Sequence, residues 1–199
     1  SVMLLSRFLD RARPTSVETV SRGVIGEKIF AFSDKLDVIN RWYHIETDAE
    51  MNKTLSKYRK AKNDTGNDVK SRMSKAGQIW PACEMIGHNL YTPLRLGLTS
   101  SQYRGVKSNA DVIIATSTLE VGFNDVTVGA VVQHKAPRSL ASFLQRKGRA
   151  GRTRIMRPWM LVVASAYGRD RWAFQHSENL FNPLLPPLEL PIQNYYIQK

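Results

Sequence analysis

A chain of 199 residues holds one domain with a sizeable core, or one domain and an extension, and is too short for two large ones. Its 29 Lys and Arg against 17 Asp and Glu leave a formal charge of +12, which points to a polyanionic partner without naming it. No stretch approaches the roughly 20 apolar residues of a membrane-spanning helix, a single cysteine (Cys83) excludes an internal disulfide, and no Cys and His group has zinc-ligand spacing, so a cytoplasmic, intracellular domain without a metal of its own is expected.

In residues 1–27, Met3, Leu4, Leu5, Phe8 and Leu9 recur at helical spacing before Pro14 breaks the pattern, which predicts a helix and a connector. The opening "SVMLLSRFLD" has no initiator methionine and meets Arg7 and Asp10 too early for a secretory signal, so a piece of a longer protein is expected. The main α/β domain is placed at residues 28–166. It begins with a strand over Ile29 to Phe32, followed by Ser33 and Asp34 as capping residues and a helix with Leu36, Ile39, Trp42 and Tyr43 on one face. From about 46 to 90 the composition turns basic and polar around "NDTGND", which reads as a basic helical insert or a solvated face without a partner.

Strand signals return in "LRLGLTSS", "DVIIAT", "VGAVVQH" and "WMLVVAS". These continuous apolar runs suit strands buried on both faces of a parallel sheet with helices between them. The segment 167–199, rich in proline and aromatic residues, reads as an extended arm leading toward a further domain.

Two stretches carry chemistry, and both are expected at the carboxyl ends of strands, where α/β sheets place ligands. In "ATSTLEVGFND" the hydroxyls of Thr116, Ser117 and Thr118 open a helix start that could seat a phosphate, although the same residues also make an ordinary strand, cap and turn. In "PRSLASFLQRKGRAGR", Ser139 is an N-cap, Leu140, Phe143 and Leu144 bury one side of a short helix, and Gly148 ends it. Arg149 and Arg152 then stand on a glycine-bounded turn, suited to a phosphoryl group that accepts paired guanidinium hydrogen bonds. Arg146 and Lys147 read as ordinary helix cations. Between Asp125 and Asp170 lie nine basic residues and no acid.

The ordered pair "ATSTLEVGFND" and "SFLQRKGRAGR" resembles motifs V and VI of superfamily 2 helicases, and "IFAFSDKLDVINRW" resembles their motif IV. The wording is closest to the large helicase-related branch. The resemblance spans roughly Lys28 to Ser165 and is strongest from Asp111 to Arg152. It implies a RecA-like, P-loop NTPase-like parallel sheet forming the C-terminal half of an ATP-dependent motor. In that motor Arg149 and Arg152 are arginine fingers, and Gly122, Asn124, Asp125 and Gln145 belong to nucleotide binding and coupling. Thr116 and Ser117 contact the nucleic-acid backbone, with Ser33, Lys35, Arg104 and Arg138 as further contacts that also read as surface cations or structural groups.

The chain departs from the family where motif V usually reads Gly, apolar, Asp: here Gly122 and Phe123 are followed by Asn124, with Asp125 one step later. It also contains no Walker A loop and no acidic Mg²⁺ box. ATP and Mg²⁺ are therefore expected to be held mainly by an N-terminal RecA-like domain of the same polypeptide, and this chain alone is expected to be inactive. The expected partner is nucleic acid, DNA before RNA, with a nucleoid location if the source is bacterial. The alternative is a nucleic-acid-binding module of the same fold that has lost motor activity.

Overall fold

The computed structural model describes residues 9, 24–52, 93–101, 105, 107, 109–119 and 123–181. The helix expected near the N-terminus, most of the basic insert and the end of the arm lie outside them. Five strands form one sheet: β1 (Lys28–Phe32), β2 (Leu96–Thr99), β3 (Val112–Ala115), β4 (Val128–His134) and β5 (Trp159–Val163). Their spatial order is β2-β3-β1-β4-β5 and every pairing is parallel. This is the parallel α/β sheet expected from the sequence, and all five apolar runs named there are strands.

The alternation of side chains divides the core into two layers. On one face Ile29, Ala31, Val112, Ile114, Ala130 and Val132 pack with Ile39 of helix α1 (Leu36–Met51). On the other, Phe30, Phe32, Ile113, Ala115, Val128 and Val131 pack with Leu119, Phe123 and Ala150. Helix α2 (Leu140–Lys147) lies on this second side, where Arg146 stands over the Phe32 ring at 5.4 Å. Strands β1, β3 and nearly all of β4 are buried throughout, as continuous apolar sequence predicts. Strand β5 is not: it is the sheet edge, and Trp159 and Val163 are exposed, which corrects the expectation of burial on both faces for this strand.

Three further expectations change. Helix α1 has Lys35 at its N-cap with no side-chain cap bond, because Ser33 and Asp34 are turned to other partners described below. The same helix runs on to Met51, through the start of the stretch read as the insert, and its buried Glu50 accepts a hydrogen bond from the Leu94 N–H (2.9 Å). The first part of the expected extended arm is helical, as α3 (Gly168–Gln175) and α4 (Glu178–Phe181). Among the described residues no helix is long and apolar enough to cross a membrane.

Gly129 is required by a close backbone approach at the start of β4. A Cβ there would lie 1.8 Å from the Ile25 carbonyl oxygen, and the β1/β4 register shifts beside it. The chain leaves β1 toward β2 and leaves β4 toward β5, in opposite directions across the sheet. The carboxyl ends of these two adjacent strands therefore frame the switch-point crevice, where parallel α/β sheets place ligands.

Candidate functional site

That crevice is a cleft of about 310 Å³ lined by Ser33, Asp34, Lys35, Asp37 and Val38 after β1, by His134, Lys135 and Arg138 at and after the end of β4, and by Arg169 of α3. Four cations face two acids there, and Asp34 is already paired with the buried Arg146 (Nη2 to Oδ1, 2.6 Å). The cleft is therefore electropositive, and its cations come from three separate elements.

The loop after β4 is held in an uncommon shape. Lys135 has φ of 66°, the left-handed region that a non-glycine residue adopts only where its surroundings impose it. Here the Lys135 N–H donates to the Val163 carbonyl (2.8 Å) and the Ala136 N–H to Asp170 Oδ1 (3.0 Å), while Arg169 Nη2 donates to the Ala136 carbonyl (2.8 Å). The other oxygen of Asp170 accepts from the Ser165 N–H (2.8 Å) and hydroxyl (2.7 Å). Burial alone would push the Asp170 carboxyl up. The bonds from Ser165 and Ala136 and the charge of Lys135 outweigh it and hold the group below its ordinary range. His134 is pushed the other way: burial, assisted by Lys135 and opposed by Asp170, lowers its pKa, so the ring is neutral at pH 7.

Asn124, Arg149 and Arg152 come together elsewhere. Helix α2 starts from Ser139, whose hydroxyl caps the Ser142 N–H (3.2 Å), and runs back along the sheet, as a crossover helix must. After its end at Gly148 the Gly151 N–H donates to the Val128 carbonyl (3.2 Å), at the start of β4. The arginine turn thus lies on the flank of the sheet near a strand's amino end, which corrects its expected place among the carboxyl ends. Arg149 Nη1 donates to the Phe123 carbonyl (2.6 Å), and Arg152 Nη1 to Asn124 Oδ1 (2.7 Å). Gly151, with φ of 72°, packs so closely on Pro158 that a Cβ would lie 2.5 Å from its Cγ.

Asp125 points away from this pair. Its carboxylate accepts from Lys28 Nζ (2.7 Å) and from the Thr127 N–H (2.9 Å). Burial works against its ionisation, but the bonds from Lys28 and Thr127 prevail and its pKa is lowered. These bonds tie the Asp125 carboxylate to the start of β1 and to the turn before β4.

Of the other expected site residues, Ser33 is buried, with its hydroxyl 3.4 Å from His134 Nδ1, and Lys35 is exposed at the mouth of the cleft. Arg138 is exposed between this cleft and a smaller one of about 190 Å³ that Ser117 also lines. Thr116 is half-buried, and Gln145 is exposed on α2. Gly122 and Arg104 lie outside the described residues.

Sequence reasoning missed Arg146. Instead of an ordinary helix cation, it is 2% exposed and joins Asp34, the Gln133 side chain (2.7 Å) and the Phe32 ring. It ties α2 to the carboxyl ends of β1 and β4, and so joins the cleft to the helix that leads to the arginine turn. The one available signal was Gln133, a polar residue in an apolar strand, which must find a buried partner. Asp170 and Arg169 were also missed, because nothing local links them to Ala136.

Residues 99–154, from the end of β2 to the arginine turn, match the family model described as the helicase conserved C-terminal domain. No curated protein matches the chain. Among solved structures it is similar to S. cerevisiae Dbp5 bound to RNA and ADP BeF3, at 12% identity and a TM-score of 0.42, over 83% of this chain and 34% of that one. A single-residue variant of Dbp5 with the same ligands matches at 14% identity and a TM-score of 0.36, over 81% of this chain and 41% of that one. The chain thus spans less than half the length of those chains.

Proposed function

We propose that this domain is the C-terminal half of an ATP-dependent nucleic-acid helicase or translocase motor. In this reading Arg149 and Arg152 reach ATP bound by an N-terminal RecA-like domain, and the basic cleft with Thr116 and Ser117 grips the nucleic-acid backbone. The observation that carries it is the convergence of both guanidiniums on the Phe123–Asn124 turn, each held by a neutral acceptor. A hydrogen bond to an ionised oxygen is roughly twice as strong as one to a neutral acceptor. A phosphoryl oxygen can therefore compete with the Phe123 carbonyl for Arg149 Nη1 and with the Asn124 amide for Arg152 Nη1.

ATP would supply the phosphoryl group whose transition-state charge the two arginines stabilise. Asp125, the carboxylate next to Asn124, is committed to Lys28, so Mg²⁺ is expected to be bound in the other domain. Arg146 would relay the state of the cleft to α2 through Asp34 and Gln133. The intact parent protein tests this. Arg149→Ala and Arg152→Ala should each lower nucleic-acid-stimulated ATPase by about 10³-fold or more, the usual contribution of an arginine finger. Near-normal turnover in both variants sinks the proposal.

The commitment of Asp125 and the presence of Asn124 where the family carries an acid favour a second reading, a nucleic-acid-binding module without motor activity. Parent protein that binds oligonucleotides but shows no stimulated ATPase selects it. Running the binding assay with DNA and with RNA decides which strand the domain takes.

A further inference from the structure

Helix α1 places Val38, Arg41, Trp42 and Ile45 at spacings of three, one and three residues, a single stripe along its surface. The stripe lines a separate pocket of about 440 Å³, closed on its other side by His134 and Lys135 at the end of β4. Trp42 packs on the core with part of its surface and contributes the rest to this pocket, with its ring centroid 6.0 Å from that of His134. Ile45 is 61% exposed, so the pocket keeps an apolar wall at its mouth. His134 and Lys135 also line the basic cleft, so the aromatic pocket and the cationic cleft are contiguous.

A pocket with an indole, a neutral imidazole and an aliphatic wall is flat and apolar. Arg41 and Lys135 at its borders add planar and point positive charge. Its volume lies within the roughly 300–1,000 Å³ of small-molecule sites. We propose that this pocket takes one unpaired nucleobase of the strand whose phosphates lie in the adjoining cleft, stacked against Trp42. The proposal rests on the nucleic-acid reading above and extends it from the backbone to a base. Charge complementarity supports this occupant: an unpaired nucleotide is an aromatic plane joined to an anion, the pairing that Trp42 and Lys135 present side by side. A base in a duplex has no free face to offer, so the pocket would favour single strands.

The test is equilibrium binding of the full 199-residue chain to a labelled single-stranded oligonucleotide and to an abasic strand of the same length and phosphate count. Stacking on an aromatic side chain contributes roughly 5- to 150-fold in affinity per base. The chain should therefore bind the abasic strand weaker by that order. Trp42→Leu should bring the normal strand down to the abasic level and leave abasic binding unchanged. Arg41→Ala, an exposed position that does not threaten folding, should narrow the gap between the two strands. Equal affinity of the unsubstituted chain for normal and abasic strands overturns the base pocket and leaves the phosphate cleft standing. An Arg41→Ala chain with an unchanged gap, beside a Trp42→Leu chain too unstable to measure, also counts against it. If neither strand binds at low salt, the nucleic-acid reading itself fails.

Discussion

Helix α2 has a different kind of site at each end. Near its start, the cleft between β1 and β4 is shaped by ionised groups: Asp170 fixes the Lys135–Arg138 loop, and Arg146 locks Asp34. Beyond its end, the arginine turn is shaped by backbone and by neutral acceptors, the Phe123 carbonyl and the Asn124 amide. The difference teaches which cations are structural and which are available. Arg146 is paired with a carboxylate and buried, so displacing it would strand a charge. Arg152, exposed and held by an amide, can change partner at small cost.

That contrast can be broken by substitution. The largest stability effect belongs to Arg146→Met, which leaves Asp34 and Gln133 without their buried partner and should cost about 3–5 kcal/mol in chemical denaturation. Arg152→Ala should stay within about 0.5 kcal/mol in the same measurement. Equal costs in the two variants would erase the distinction. Next comes Gly151→Ala, which forces a Cβ into Pro158 at a left-handed residue. A loss of about 1–3 kcal/mol is expected, together with a fall in stimulated ATPase of the parent protein from misplacement of both arginines.

Asp170→Asn should cost about 1–3 kcal/mol, since an amide cannot accept all three bonds that converge there. It should also flatten the acid limb of the stability profile. The Asp170 carboxyl titrates below its ordinary value of 3.8 in the folded state, so its contribution is fully present above that pH and is lost as pH falls through the lower folded value. A denaturation series below pH 5 on both proteins measures the difference. Asn124→Ala removes the same exposed hydrogen bond as Arg152→Ala and should share its small cost, within about 0.5 kcal/mol, with melting temperature as the readout.

Much of the fold was legible because a parallel sheet buries its strands on both sides, and that burial leaves continuous apolar runs such as "KIFAF" and "VGAVVQH". Ser139 was legible as a cap for an equally local reason: its hydroxyl reaches a donor three residues away. The edge position of β5 was not legible, because its sequence is as apolar as that of a central strand. Nor was the helix over Gly168–Gln175, whose start is fixed partly by the bonds of Asp170 to Ser165 and Ala136. Asp125 and Asn124 are adjacent in sequence, yet one faces Lys28 across the sheet and the other faces Arg152.

By itself the sequence determined the α/β class, the strand positions, the capped helix and the two motif-bearing stretches, since each depends on spacings within a few residues. Only the tertiary structure decided what each charge does. An arginine on a short helix is buried or free according to what the crossovers bring beside it, and Asp34 reaches Arg146 because β1 and β4 are neighbours in the sheet though far apart in the chain. The same adjacency sets Trp42 beside Lys135, and places the arginine turn at the far end of α2 from the cleft that shares its helix.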